Sequence, residues 1–81
     1  MLSDSEWARL QRKLRLTDRE VEVLQGLFDE QTDQAIASTL GITSRTVRAH
    51  LDNVYRKCDC RTRTGAVISV FKTLRRCEIA R

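Results

Sequence analysis

The stretch QAIASTLGITSRTVRAHLDNVYRK, Gln34 to Lys57, decides the fold. Thr32, just ahead of it, is placed to cap a short helix in which Ala35, Ile36 and Leu40 share a face, and Gly41 is the residue type that ends such a helix in a left-handed conformation. Ile42 follows as an apolar plug. Thr43 is a new N-cap, and beyond it Val47, Leu51, Val54, Tyr55 and Cys58 recur at i, i+4, i+7, i+8 and i+11, which predicts an amphipathic helix over 44–57. Only Gly41, Ile42 and Thr43 separate the two helices. Two helices joined by so short a turn containing glycine have the sequence form of a helix-turn-helix.

Upstream, Thr17-Asp18-Arg19-Glu20 is a capping box, with Leu16 and Val21 spaced as a hydrophobic staple. Val21, Leu24, Leu27 and Phe28 then predict a helix from 18 to about 30. Further back, Ser3 and Glu6 repeat the capping-box spacing, and Trp7, Leu10 and Leu14 form a narrow apolar stripe that must dock on something. Downstream, Arg61 to Gly65 caps a last helix whose stripe is Ala66, Val67, Val70, Phe71 and Leu74, followed by basic Lys72, Arg75 and Arg76. The expected fold is all-α, a tetrahelical helix-turn-helix domain over 16–77 with an additional short N-terminal helix in 1–15.

A chain of 81 residues is one small domain. It buries only about 60–65% of the surface its unfolded form exposes and has no room for a large cleft. The single histidine, His50, has no nucleophile beside it in sequence, so catalysis is not expected. No apolar run approaches the roughly 18–20 residues that cross a bilayer, and the start is acidic, which predicts a soluble cytoplasmic protein with no membrane partner. Cys58, Cys60 and Cys77 are odd in number and are read as reduced thiols, the first two as small buried hydrophobes. A zinc site on Cys58, Cys60 and His50 would need a second ligand pair that the chain does not have, so no metal or cofactor is expected. Cys77, near the end of the last helix, is a candidate for thiol-based control.

Charge is unevenly spread. Residues 1–44 hold five Lys/Arg and eight Asp/Glu, a net −3, whereas residues 45–81 hold ten and three, a net +7. Twelve of the fifteen basic residues are arginine, whose planar fork suits phosphate and guanine. The polar face of the 44–57 helix carries Arg45, Arg48, Ala49, Asp52, Asn53 and Arg56. A helix that enters the major groove needs an apolar back, long donors and short residues that permit close approach. Arg48 suits a bidentate bond to guanine, and Ala49 suits contact with a thymine methyl. Asp52 is either a reader of cytosine or an ion-pair partner that fixes Arg48 or Arg56. Thr43, Thr46, Thr62 and Thr64, at helix starts, add donors suited to phosphate.

The chain resembles the LuxR/FixJ-type (GerE-like) helix-turn-helix domain of bacterial transcription regulators from Leu16 to about Leu74. LTDREVEVL (Leu16 to Leu24) is similar to that family's LTxREREVL opening, the Gln34 to Lys57 stretch to its xxIAxxLxISxxTVKxHxxxIxxK core, and RTRTGAV (Arg61 to Val67) to its RSRTEAV. The resemblance implies sequence-specific binding of double-stranded DNA, with base contacts from Arg48, Ala49 and Asp52. It implies phosphate contacts from Arg45, Thr46, His50, Arg56, Lys57, Arg63 and Thr64. It also implies a homodimer formed through the last helix, by Val67, Val70, Phe71 and Leu74. Two copies are expected on physical grounds too, since one recognition helix reads too few base pairs for a useful site.

Several positions depart from the family pattern. Glu30 and Gln31 stand where a glycine is usual, Ser44 replaces a proline, and Gly65 replaces a glutamate, which removes the capping partner of Thr62. Cys58 and Cys60 replace a larger Leu and Val, which underpacks that corner. Most family members carry an input domain ahead of the DNA-binding part. Only about fifteen residues precede the motif here, so the chain is either a stand-alone regulator or part of a longer one. The competing readings are a protein-interaction module on the same scaffold, binding a partner regulator or RNA polymerase, and a sigma-factor region-four module. The apolar Ala66 to Leu74 helix argues against the latter.

Overall fold

A computed structural model describes the backbone of residues 2–79 and the side chains of residues 2–76. It is all-helical: α1 (Asp4–Leu14), α2 (Asp18–Phe28), α3 (Asp33–Leu40), α4 (Ser44–Lys57) and α5 (Arg63–Ile79). The four helices α2 to α5 form the tetrahelical unit, and α1 is the added leading helix.

Local chemistry sets each boundary. Ser3 and Thr17 close full capping boxes, each hydroxyl accepting the N3 amide while Glu6 and Glu20 accept from the cap amides at 2.8 and 2.9 Å. Thr32 and Thr43 cap α3 and α4 by accepting the amides of Ala35 and Thr46, both at 3.1 Å. Gly41 ends α3 at φ 68°, and the next amide, Ile42, donates to the Ala37 carbonyl at 3.0 Å, fixing the turn into α4. Glu30 takes a left-handed φ of 59° where a glycine would be unstrained. Gly65 contributes no side chain to the start of α5, yet its amide still donates to the Thr62 hydroxyl at 3.0 Å.

Two buried clusters share α2 and α4. Val23, Leu27, Ile36, Ala37, Val47 and Leu51 bind α2, α3 and α4 into the helix-turn-helix unit. Leu24, Val54, Cys58, Ala66, Val70 and Leu74 bind α5 to the same two helices, and Trp7 and Leu10 of α1 complete that cluster. Phe28 and Tyr55 touch both clusters. The docking surface for the Trp7/Leu10 stripe is thus α2 and α5, with the Trp7 ring edge-on to Phe28 at 5.3 Å. Leu16 and Val21 are both buried there, as the staple requires.

The two neighbouring cysteines part company. Cys58 is buried, and burial pushes its thiol above the usual range. Cys60 is only half-buried, because the chain turns outward through left-handed Asp59, and a groove of about 380 Å3 opens between that turn and α5. The side chain of Cys77 lies outside the described residues. Among the described residues no group of His, Cys, Asp and Glu is arranged to hold a metal, and no helix is long and apolar enough to cross a membrane.

Candidate nucleic-acid interface

The exposed polar face follows from the pitch of α4. At 3.6 residues per turn, Arg45, Arg48, Ala49, Asp52 and Arg56 share about 100° of arc, and Val47, Leu51 and Val54 lie on the opposite side. The first five are exposed, and the last three are each 1% exposed or less. Thr46, His50 and Asn53 lie half-buried on one flank. The helix is therefore fixed by its back and presents three arginines, one methyl and one carboxylate on its front.

Among the described residues, Asp52 forms no ion pair with Arg48 or Arg56; the pairs present are Arg19 with Glu22, Lys57 with Glu20 and Arg63 with Asp33. Arg48 and Arg56 accordingly project with both forks open. The Thr46 hydroxyl lies 2.9 Å from that of Thr43, which orients it at the positive end of α4. Thr64 is exposed in the first turn of α5.

Two basic residues expected at phosphates are engaged inside the molecule. Lys57 Nζ donates to Glu20 Oε1 at 2.6 Å and to the Arg15 carbonyl at 2.8 Å, tying the C-terminal end of α4 to the start of α2. Burial raises the Glu20 carboxyl, but bonds from Lys57 and the Thr17 amide outweigh it and hold the group below its ordinary range. Arg63 donates to Asp33 Oδ1 at 2.6 Å and to the Gln31 carbonyl at 3.0 Å, tying the start of α5 to the start of α3. Tyr55 is half-buried close to that pair, and burial pushes its phenol above the usual range, so it adds no charge.

Sequence reasoning missed these two clasps because their partners lie 37 and 30 residues away. It also passed over Arg61, which is exposed in the turn between α4 and α5, where Arg63 was expected to face phosphate. Arg61, two residues ahead of clasped Arg63, was visible only as a member of a motif.

Of the last-helix residues expected at a dimer interface, Val70 is fully buried and Leu74 is 6% exposed, both within the protein's own core. Val67 is half-buried and Phe71 is 55% exposed, and Ile68, next to them, is 49% exposed. The stripe therefore divides into an inward row and an outward row.

The model of the family described as bacterial regulatory proteins, luxR family, matches residues 8–70. The chain is similar to the response regulator protein VraR of Staphylococcus aureus (strain Mu3 / ATCC 700698), with 40% identity over 57 residues. The match covers 70% of this chain and 27% of that protein. The proteins of the same name from Staphylococcus saprophyticus and Staphylococcus epidermidis match to the same extent. The chain thus spans about a quarter of the length of these curated relatives. No solved structure matches it. The chain belongs to the luxR family of bacterial regulatory proteins, whose domains of this kind are DNA-binding modules of transcription regulation and not enzymes.

Proposed function

We propose that this chain binds specific double-stranded DNA sites as a homodimer, with α4 in the major groove of each half-site. The observation that carries the proposal is the front of α4: Arg45, Arg48, Ala49, Asp52 and Arg56 on one exposed face over a fully packed back. Arg48 reads guanine, Ala49 lets the backbone approach and meets a thymine methyl, and Asp52 accepts from a cytosine amino group. Asp52 has no internal cation to satisfy among the described residues, which favours this role over that of an arginine's partner.

Arg45, Thr46, His50, Arg56 and Thr64 bind phosphates, and Arg61 joins them. Lys57 and Arg63 act one step back: the bond of Lys57 to Glu20 holds the end of α4 on α2, and that of Arg63 to Asp33 holds the start of α5 on α3. Two copies joined through the outward row of α5 would place two recognition helices on one side of the duplex, about one helical turn apart. That the relatives are response regulators fits an output module whose activity is set by a signal.

Selection from a randomised duplex pool at two salt concentrations tests this. The expected outcome is a near-palindromic site enriched at both, with affinity falling steeply as salt rises. Enrichment of no site at either salt would favour the protein-interaction reading, for which the exposed Phe71 and Ile68 are the supporting feature.

A further inference from the structure

Phe71 stands between two grooves of opposite charge. On one side lies a groove of about 570 Å3, floored by Leu2, Leu27, Phe28 and Val67 and bordered by Glu6 and Glu30. On the other lies a smaller one of about 220 Å3, formed by Ile68 and Phe71 with Lys72 and Arg75. The Phe71 ring borders both grooves and rests on Phe28 at 5.9 Å. Ile68 and Phe71 are the exposed large hydrophobics among the described residues, so this is where apolar surface remains to be covered.

A patch with an apolar centre, acid on one flank and base on the other is complementary to a copy of itself. Under a two-fold operation each residue i that meets j is matched by j meeting i. A two-fold axis lying in the contact plane and running between the two grooves sets acid opposite base twice. The same axis turned by a right angle sets acid on acid.

We propose that the occupant of this face is a second copy of the chain, seated about Phe71 and Ile68 so that Glu6 and Glu30 of each copy face Lys72 and Arg75 of the other. The proposal rests on the homodimer reading above and deepens it in two respects. The N-terminal part becomes part of the interface through Glu6 of α1 and Leu2 just ahead of it, whereas the family resemblance placed the contact on the last helix alone. The charge pattern also selects one of the possible pairings of two α5 helices. Two exposed apolar side chains per copy make a small contact, so the dimer is weak in solution and is strengthened when both copies hold one duplex.

Sedimentation equilibrium of the full chain at low salt, from micromolar to millimolar concentration, tests the proposal with Glu30→Lys, Lys72→Glu and the two combined. The combination leaves net charge unchanged, and circular dichroism monitors folding. Each single variant is expected to weaken self-association about tenfold, and the combination to return to within about threefold of the parent. A parent dimer that neither single variant weakens, or a combination weaker than both, would overturn the charge pairing and leave the homodimer standing. A parent that stays monomeric over the whole range would overturn the homodimer reading and this proposal with it.

Discussion

Lys57 and Glu20 show how a single pair can decide whether α4 is held in place. The Glu20 side chain is 4% exposed and its main cationic partner is Lys57, which is itself 32% exposed. Replacing Lys57 with methionine keeps the stem but leaves a buried carboxylate with only the Thr17 contacts. A loss of about 1–3 kcal/mol is expected in urea unfolding at neutral pH. The sign with pH follows from the depressed carboxyl. Because the folded protein holds Glu20 below its ordinary value of 4.5, its contribution is present above that value and is lost as pH falls through the folded one. Without Lys57 the raising effect of burial gains weight and the folded value moves up, so the variant loses less stability on acidification and its deficit against the parent narrows as pH falls below 4.5. A deficit that stays constant from neutral to acid pH would show that the clasp does not set this carboxyl. At this scale the sequence was legible where periodicity acts. Arg45, Arg48, Ala49, Asp52 and Arg56 fall on one face because the helix has a fixed pitch. It was not legible for Lys57 and Arg63, since nothing local to either residue names a partner in a distant helix.

Gly26 governs how closely two elements approach. It lies on the face of α2 that meets α3, and a Cβ there would stand 2.7 Å from Ile36 Cγ1 and 3.0 Å from Gln31 Oε1. Ile36 is 1% exposed and branched near its backbone, so it has little room to give. Gly26→Ala gains about 1 kcal/mol of helix propensity. Forcing α2 and α3 apart costs about 1–3 kcal/mol in turn. The net expectation is a lower thermal midpoint; a raised midpoint for Gly26→Ala would show that the α2/α3 contact is loose. Caps and stripes made the elements readable in advance. Ser3, Thr17, Thr32 and Thr43 each start a helix because a hydroxyl satisfies an amide that the helix leaves unpaired. The division of the α5 stripe was not readable. Val67, Val70, Phe71 and Leu74 fit one helical stripe, and only the placement of α1, α2 and α4 decides that Val70 and Leu74 face the core while Phe71 faces outward.

Across the molecule, the separation of charge along the chain becomes a separation in space. The acidic first part folds into α1, α2 and α3, whose carboxylates take up Lys57 and Arg63 and border the groove beside Phe71. The basic second part carries α4 and α5, and its unclasped arginines among the described residues lie on the front of α4, in the turn after it, and at Arg75 and Arg76 of α5. Net charge alone points only to a loose attraction for polyanions; the packed back of α4 converts it into a surface with a defined direction. The most direct test is to measure binding of the parent and of Arg48→Ala to the selected duplex and to every single-base-pair variant of it, at two salt concentrations. A loss of about 1–3 kcal/mol is expected on the selected site, with discrimination relaxed at one base pair of each half-site and the salt dependence nearly preserved. An equal loss on every duplex, or no loss on any, would contradict the assignment of α4 as the reading helix.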